Sequence, residues 1–326
     1  PSAVDDPLNE TPLRTALAIA HALIEKPAPW WIVTRGAISV ADNDAVPQLA
    51  AAGLWGFART VVQEHPELNV RRLDLDPTTD TATFSKHLVS ELTSPSTEDQ
   101  LAWRGTSRYA ARLVSANAPE PAGNFQVSPD RTVLVVGGLG GLGLSLAHWL
   151  AERGAKHVVL ASRRPPTASA QAEIKRLEVV GLTVRTMQLD VASSVDVTRV
   201  LADIATTGPQ LGGIIHAAGV LDDGSLQQLN WSRFQPVLAP KVSGAWQLHH
   251  QTLGQSLDFF VFFSSSTALL GTPGQANHAA ANAWLDALAQ HRRAAGLPAV
   301  SINWGPWAEI GAAARRGVAE HARRHG

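Results

Sequence analysis

Apolar residues recur at helical spacing near the start of the chain and then give way to shorter apolar runs. Residues 10–26 carry one such stripe, which Pro27 ends. The apolar run at 30–34 and the segment VRRLDLD at 70–76 are predicted as strands, and the periodic segment 49–65 between them predicts a second helix. This order predicts an alternating α/β arrangement in the first third of the chain. The stripe of the first helix consists of Leu13, Ala16, Leu17, Ala20, Leu23 and Ile24.

The pattern restarts at Arg131 with a buried strand, a glycine turn, a helix and a second strand, which together form one βαβ unit. Further apolar runs follow, with helical segments between them. Repetition of this unit predicts a doubly wound, mostly parallel sheet, whose ligands bind beyond the carboxyl ends of the strands. The predicted strands lie at residues 132–138, 157–164, 182–190, 212–219, 257–265 and 299–305.

A segment rich in Pro, Gly and Asn, NAPEPAGNFQVSPD, separates the two parts of the chain. Such a composition is typical of a linker. We therefore predict a first subdomain at residues 1–121 and a second at 122–326. The chain begins without methionine in a polar, Pro-containing stretch, which suggests a fragment cut from a longer protein.

Composition and charge exclude several classes of function. Hydrophobic residues make up 45% of the chain and charged residues 17%, without an apolar run long enough to span a bilayer. The net charge is −1, with both signs mixed along the chain, so a nucleic-acid partner is not expected. There are no cysteines, no HExxH cluster and no secretory signal. We expect a cytoplasmic protein without a metal site.

Glycines follow the first strand of the second part. Gly137, Gly141 and Gly143 form GxxxGxG at the opening of a helix. Without β-carbons the backbone can turn tightly, and helix amides can face a pyrophosphate. Close packing of helix against strand also selects glycine, but the strand-turn-helix context favours a dinucleotide site. That site also includes Gly138, Gly140 and Leu142.

The end of the next strand indicates which dinucleotide is bound. Ser162, Arg163 and Arg164 stand where an acidic residue would accept the ribose hydroxyls of NAD. Guanidinium groups there would pair with the 2′-phosphate of NADP, so NADPH is the predicted cofactor, although a solvated basic loop would look the same. Asp190, with Val191 beside it, is a candidate contact for the adenine amine. Asp190 could equally be a turn or cap residue.

Several motifs, in order, resemble the ketoreductase domains of modular type I polyketide synthases, within the short-chain dehydrogenase superfamily. They are VLVVGGLGGLG, HAAGVLDD, APKVSGAW, FFSSSTALLGTPGQANHAAANAWLDALA and SINWGPW, and the dense match covers residues 131–310. LWGFARTVVQEHPEL and EDQLAWR resemble the structural subdomain of that family, whose first part we expect to be missing. The resemblance implies a Rossmann-type catalytic subdomain, preceded by a degenerate Rossmann-like structural subdomain.

The resemblance also implies a reaction. In this family NADPH reduces a β-ketoacyl chain, carried by an acyl carrier protein, to a β-hydroxyacyl product. A tyrosine supplies the proton, a serine binds the carbonyl, and a lysine and an asparagine orient the relay. The pattern assigns Ser265, Lys241 and Asn282 to the last three roles, and it assigns Ala217, Ala218 and Gly219 to the cofactor site. Taken singly, the serine could be a strand end, the lysine solvated surface and the asparagine a helix cap.

His278 departs from the family pattern. The family reads GQxNYAAANA where this chain reads GQANHAAANA, and Tyr109 is the only tyrosine. Imidazole can donate a proton near neutral pH, but its far nitrogen lies roughly 2 Å nearer the backbone than a tyrosine hydroxyl. A neighbouring Lys241 ammonium would also disfavour the protonated imidazole. Efficient ketone reduction is therefore not expected.

Further positions bear on stereochemistry and cofactor affinity. Leu221, Asp222 and Asp223 resemble the LDD signature of B-type ketoreductases, which implies a D-configured alcohol from any reduction. Leu270 stands where A-type domains have tryptophan, Ala280 indicates the subtype acting on unepimerised substrates, and Gln275 is expected to line the same entrance. The turn residues Val136 and Leu139 replace threonines frequent in the family, so NADPH binding is expected to be weakened.

Three functions remain open at this point. The first is an active reductase in which His278 or an ordered water is the acid. The second is a redox-silent domain kept for architecture, which holds neighbouring synthase domains and docks the carrier protein. The third is an epimerase acting on an α-methyl-β-ketoacyl chain, which exchange of the α-hydrogen for deuterium without NADPH consumption would identify.

Overall fold

The structure is a computed structural model that describes residues 6–41, 44, 48–94, 96–115 and 125–307. The chain divides into two compact units. The first unit consists of the segments Pro1–Ala118, Asp222–Gln235 and Ser266–Leu297. The second unit consists of Pro119–Leu221, Pro236–Ser265 and Pro298–Gly326.

Strands and helices alternate through most of the described residues. The strands are β1 (Trp31–Arg35), β2 (Arg71–Leu75), β3 (Gln100–Arg104), β4 (Ser107–Ala110), β5 (Thr132–Val136), β6 (His157–Ser162), β7 (Thr183–Gln188), β8 (Leu211–His216), β9 (Phe259–Ser265) and β10 (Val300–Trp304). The helices are α1 (Thr11–Glu25), α2 (Leu49–Glu64), α3 (Thr81–Thr93), α4 (Gly141–Glu152), α5 (Ala168–Val179), α6 (Ser194–Thr207), α7 (Trp231–Leu238), α8 (Gly244–Gln251), α9 (Thr267–Leu270) and α10 (Ala276–Ala294).

The first unit contains a four-stranded sheet in the order β1-β2-β3-β4. The first three strands are parallel, and β4 pairs antiparallel with β3. Leu73, Leu75 and Leu101 form the apolar core on this sheet. The hairpin of β3 and β4 was not predicted, because β4 is short and mostly exposed and therefore has no alternation of buried and exposed positions.

Helices α2 and α10 pack closely within the first unit. A β-carbon on Gly56 would lie 2.3 Å from the carbonyl oxygen of Ala279 and 2.8 Å from the β-carbon of Ala283. One turn earlier, a β-carbon on Gly53 would lie 3.5 Å from the carbonyl oxygen of Ala280. Glycines on one helix thus face alanines on the other. The two backbones therefore lie so close that a β-carbon on Gly56 would overlap the backbone of α10. We call these five residues the glycine–alanine seam.

The second unit contains a six-stranded parallel sheet in the order β10-β9-β8-β5-β6-β7. Counted from β5, this is the order 3-2-1-4-5-6 of the doubly wound dinucleotide-binding fold, in which ligands bind where the strand order reverses. The reversal lies between β5 and β8, and every residue of both strands is buried. The structure therefore confirms the predicted fold class.

Some sequence predictions differ from the structure in detail. The boundary predicted between residues 121 and 122 falls outside the described residues, and the domain assignment stays a prediction. The segments 222–235 and 266–297, which we assigned to the second subdomain, group with the first compact unit. A π-helical turn at Ala239–Ser243, which contains Pro240, joins α7 to α8. This turn was not predicted from the sequence. Over the described part of the chain, no helix is both long and apolar enough to cross a membrane.

Candidate functional site

Close backbone contacts require glycine at several positions of the turn after β5. Gly137 has a φ of +86°, and a β-carbon there would lie 2.8 Å from the backbone nitrogen of Ala218. A β-carbon on Gly143 would lie 2.5 Å from the α-carbon of Gly138, and one on Gly138 would lie 2.8 Å from the carbonyl oxygen of Val135. These glycines let α4 begin directly against β5 and bring the turn against the loop that follows β8.

The amino end of α4 fits a phosphate group. Gly140 is the N-cap residue and has no side chain to accept from the amides of the first turn, which includes Gly141 and Leu142. A β-carbon on Gly140 would meet only the carbonyl oxygen of Gly137, at 3.5 Å. Amides at a helix amino end bind anions through hydrogen bonds and the helix dipole. The residues of this turn are therefore suited to the pyrophosphate of a dinucleotide.

The end of β6 carries the two arginines predicted to select NADPH. Arg163 and Arg164 are both exposed, directly after Ser162. The carbonyl of Arg163 accepts a hydrogen bond of 3.2 Å from Nε2 of Gln188, which fixes the backbone at this strand end. Both arginines therefore lie at the carboxyl edge of the sheet, and their pairing with a ribose 2′-phosphate stays a prediction.

Removing these two guanidinium groups should weaken NADPH binding selectively. For the double variant Arg163→Ala/Arg164→Ala we expect NADPH affinity to fall about tenfold or more, because charge-assisted hydrogen bonds are lost, while NADH affinity stays nearly unchanged. Fluorescence titration with both nucleotides would measure this. Arg176→Ala is the matched control, because Arg176 is an exposed arginine of α5 that pairs with Glu173. An equal loss of affinity for both nucleotides would contradict the assignment.

Asp190 and Val191 follow β7. The carboxylate of Asp190 accepts a hydrogen bond of 3.1 Å from the amide of Ala192, which is the turn role weighed from the sequence. Val191 is buried, and a β-carbon on Gly244 would lie 2.6 Å from its Cγ1. Val191 therefore packs this turn against α8. A contact of either residue with adenine stays a prediction.

Lys241 lies in the π-helical turn and is only 5% exposed. Its ammonium donates a hydrogen bond of 2.8 Å to the carbonyl of Phe263 on β9. A β-carbon on Gly219 would lie 3.1 Å from Cε of Lys241, so the lysine stem packs against the loop Ala217–Gly219. Lys241 is thus not solvated surface. The structure brings it together with the loop assigned to the cofactor.

His216, the last residue of β8, was missed from the sequence. It is fully buried, and its Nε2 lies 2.9 Å from the carbonyl oxygen of Pro240, next to Lys241. Burial, and secondly the charge of Lys241, lower the pKa of His216 to about 3. The imidazole is therefore neutral at pH 7, with Nε2 donating to Pro240. Its place in HAAG, at the end of an apolar strand, was the available signal.

The low pKa of His216 predicts a loss of stability in acid. Between about pH 6.5 and about pH 3 this histidine is protonated in the unfolded state and neutral in the folded state. The unfolded state therefore binds one more proton and is favoured as the pH falls. We expect this group to lower the free energy of unfolding by about 1.4 kcal/mol per pH unit in that window. Urea unfolding of the parent and His216→Gln at several pH values would measure it. Parallel pH profiles for the two proteins would contradict the prediction.

Ser265 is the last residue of β9. Its carbonyl accepts a hydrogen bond of 3.2 Å from the side-chain amide of Asn303 on β10, and the same amide lies 3.2 Å from Oγ of Ser264. Asn303 was not singled out from the sequence. The neighbouring strand thus fixes the backbone of Ser265, at the carboxyl edge of the parallel sheet.

His278 and Asn282 lie one turn apart on α10, in the first unit. The amide of His278 donates a hydrogen bond of 2.7 Å to Oδ1 of Asn277, and Nδ2 of Asn282 donates one of 2.8 Å to the carbonyl of His278. Asn282 is fully buried. Ser265 and Lys241 belong to the second unit. The union of these four side chains in one catalytic group stays a prediction.

The two aspartates of the LDD segment are tightly held within the first unit. Arg233 donates hydrogen bonds of 2.8 and 2.6 Å to the carboxylate of Asp222, and one of 2.6 Å to the carbonyl of Asp223. The buried amide of Asn277 donates one of 2.8 Å to the carbonyl of Asp222. Asn277 and Arg233 were not anticipated as functional residues. Together they connect the LDD segment to the start of α10.

The remaining predicted entrance residues lie at helix ends and in a loop. Gln275 is the N-cap residue of α10, and Leu270, at the end of α9, is 53% exposed. Leu221 is half-buried in the loop after β8. Across the residues that the structure describes, no three His, Asp or Glu side chains are grouped so that they could hold a metal ion.

Comparison with known families identifies both parts of the chain. Residues 131–309 match the KR domain family. Residues 5–113 match the family described as the Rossmann fold domain of the polyketide synthase extender module SpnB. Together the two matches cover nearly all of the described residues.

Similar proteins are parts of large synthases. The chain is 44% identical over 304 residues to polyketide synthase GfsA of Streptomyces halstedii, which covers 92% of the chain and 4% of that protein. It is 41% identical over 338 residues to polyketide synthase GfsB of the same organism, which covers 99% of the chain and 6% of that protein. The chain thus spans a small fraction of these curated relatives.

Solved structures agree with these matches. An A-type ketoreductase from a modular polyketide synthase is 38% identical, with a TM-score of 0.88 over 95% of this chain and 66% of that one. The first ketoreductase of the tylosin synthase is also 38% identical, with a TM-score of 0.82 over 94% of this chain and 66% of that one. The chain therefore belongs to the ketoreductase domains of modular polyketide synthases, within the short-chain dehydrogenase/reductase superfamily.

Proposed function

We propose that this chain is a ketoreductase domain in which ketone reduction is weak or absent, because His278 stands at the position of the catalytic tyrosine. The family reaction is the NADPH-dependent reduction of a β-ketoacyl chain to a β-hydroxyacyl chain. Bound NADPH would supply the hydride for this reaction. The residues of the chain would bind the cofactor, hold the carbonyl and deliver the proton.

The identity of residue 278 carries the proposal. The imidazole ends roughly 2 Å short of the place that a tyrosine hydroxyl on the same backbone would reach. A misplacement of about 1 Å can lower a rate about a hundredfold. Tyr109 is the single tyrosine of the chain and lies on β4, opposite Ala102 in the hairpin. The sequence therefore contains no other tyrosine that could donate the proton.

The other assigned residues keep the chemistry that the family requires. The buried ammonium of Lys241 is held by the carbonyl of Phe263, and the backbone of Ser265 is fixed by Asn303. Asn282 is buried one turn after His278 and bonds to its carbonyl. These contacts support the roles of carbonyl binding for Ser265 and of proton-relay orientation for Lys241 and Asn282. The missing part is the acid itself.

We also propose that NADPH binds with reduced affinity. Val136 is buried, and Leu139 packs against the apolar core around β5 and β6. Both stand where the family often has a threonine, so the glycine turn lacks hydroxyl groups that could support it or bind a phosphate. The glycine turn and the arginines after β6 remain, which supports binding of the cofactor without fast turnover.

The substrate and stereochemistry follow the family signature. We infer an acyl carrier protein as the partner, since the relatives of the chain are domains of multidomain synthases. The LDD segment supports a B-type assignment and a D-configured alcohol from any residual reduction. Ala280 supports an unepimerised substrate.

The proposal is tested by NADPH consumption with a small diketide ketone or a decalone. We expect the protein to bind NADPH, seen by fluorescence titration, and to consume it no faster with ketone than without. Ketone-dependent consumption at a rate typical of reductases, about 1 per second or more, would overturn the proposal. If that activity disappeared in His278→Ala, His278 itself would be the acid.

A further inference from the structure

The carboxylate of Glu64, the last residue of α2, binds two backbone amides from separate segments of the chain. Oε2 accepts a hydrogen bond of 2.6 Å from the amide of Leu226, and Oε1 accepts one of 2.8 Å from the amide of Gly274. Leu226 follows the LDD segment by three residues, and Gly274 directly precedes Gln275 at the start of α10. One side chain therefore connects the two segments.

The same two segments also bond to each other. The amide of Gly224 donates a hydrogen bond of 2.9 Å to the carbonyl of Gly274, whose φ of +81° turns the chain toward α10. The carbonyl of Leu226 lies 2.9 Å from Nε2 of His21 on α1. Side chains of α1 and α2 thus hold both backbone groups of Leu226. The position of this residue is fixed from two sides.

Other side chains of α2 continue the same pattern. Arg59 donates a hydrogen bond to the carbonyl of Ala268, and Gln63 donates one to the carbonyl of Leu270. Thr60 accepts a hydrogen bond of 3.4 Å from the amide of Thr272. Side chains at the end of α2 therefore fix the backbone of residues 268–274 through hydrogen bonds. Glu64 is the member of the set that also reaches the segment after LDD.

A carboxylate is the group suited to this bridge. It offers acceptors on both oxygens and carries no hydrogen to clash with either amide. Hydrogen bonds from backbone amides to a charged carboxylate are roughly twice as strong as neutral ones. Glutamine has the same size, but its NH2 group would face one of the two amides.

We propose that Glu64 is a positioning residue that sets the distance between the LDD segment and the segment before α10. It thereby controls which face of the bound ketone is reduced. The entrance role of these segments rests on the proposed function. The bridge itself does not, because it consists of contacts within the first unit. Two separate readouts therefore apply.

Hydrogen exchange in the whole domain tests the bridge. In Glu64→Gln we expect the amide that faces the NH2 group, of Leu226 or of Gly274, to exchange about tenfold faster or more, while amides of β2 and β5 exchange as in the parent. Glu25→Gln, an exposed glutamate at the end of α1, is the matched control and should leave both amides unchanged. Unchanged exchange at both amides in Glu64→Gln would overturn the proposal. So would an equal acceleration throughout the sheets, because Glu64 would then be merely a stabilising residue.

Product configuration tests the control of selectivity. In a His278→Tyr background that reduces ketones, adding Glu64→Gln should change the ratio of the two alcohol configurations at least severalfold, with a larger effect on KM than on NADPH affinity. An unchanged ratio would overturn the selectivity role. If His278→Tyr itself proved inert, the proposed function would fail, and the exchange experiment would still decide whether Glu64 forms the bridge.

Discussion

Replacing His278 by tyrosine is expected to raise the rate of ketone-dependent NADPH oxidation about a hundredfold or more. The tyrosine hydroxyl would extend roughly 2 Å beyond the far imidazole nitrogen, to the position from which the family protonates the carbonyl. His278 is only partly buried, so the longer ring can be accommodated on α10. The measurement is NADPH absorbance with and without a small diketide ketone, on parent and variant prepared in parallel.

His278→Phe is the matched control for this experiment. Phenylalanine supplies the ring of tyrosine without the acidic hydroxyl, so it should stay as slow as the parent. A gain in both variants would show that ring size, and not proton donation, limits the rate. If the parent reduced ketones as fast as His278→Tyr, the inference from side-chain length would be wrong.

Replacing Gly56 by alanine is expected to lower the free energy of unfolding by about 3 kcal/mol or more. The new β-carbon would lie 2.3 Å from the carbonyl oxygen of Ala279, a backbone atom that cannot move aside as a flexible side chain could. Helices α2 and α10 would have to separate or shift along each other. Urea unfolding followed by circular dichroism would measure the loss.

Gly254→Ala is the control for glycine replacement as such. Gly254 is exposed, and a β-carbon there would meet nothing within 4 Å. Its unfolding free energy should differ from that of the parent by less than about 0.5 kcal/mol. Equal effects at Gly56 and Gly254 would mean that the glycine–alanine seam is less tightly packed than its geometry indicates.

The fold of the second unit could be predicted from the sequence because its signals are local. Each buried parallel strand is an almost continuous apolar run, and the glycine turn marks the first βα connection. The predicted strands at 157–164 and 257–265 differ from β6 and β9 by two residues at one end. These two strands show no conflict between local preference and tertiary packing.

The missed features depend on partners distant in sequence. From the sequence alone, Gly53 and Gly56 are simply residues of low helix propensity. Their packing against α10, more than 200 residues later, is visible only in the structure. The bridging roles of Glu64 and Asn277 likewise arise from backbone groups that only the folded chain brings near. Lys241 is buried within a π-helical turn, which has no reliable sequence pattern. Family resemblance could assign the lysine but not its surroundings.

The glycine–alanine seam has an evolutionary consequence. Consecutive residues of an α-helix point about 100° apart, so the side chain of residue 278 leaves α10 in a different direction from that of Ala279. Ala279, Ala280 and Ala283 are buried, and the β-carbon of Ala283 lies directly against α2, while His278 is only partly buried. We therefore expect a substitution at position 278 to disturb the packing of α2 against α10 less than one at Ala283. Under the proposed function, one substitution at position 278 removes a reductive step while the domain stays folded, and a single reversion recovers it.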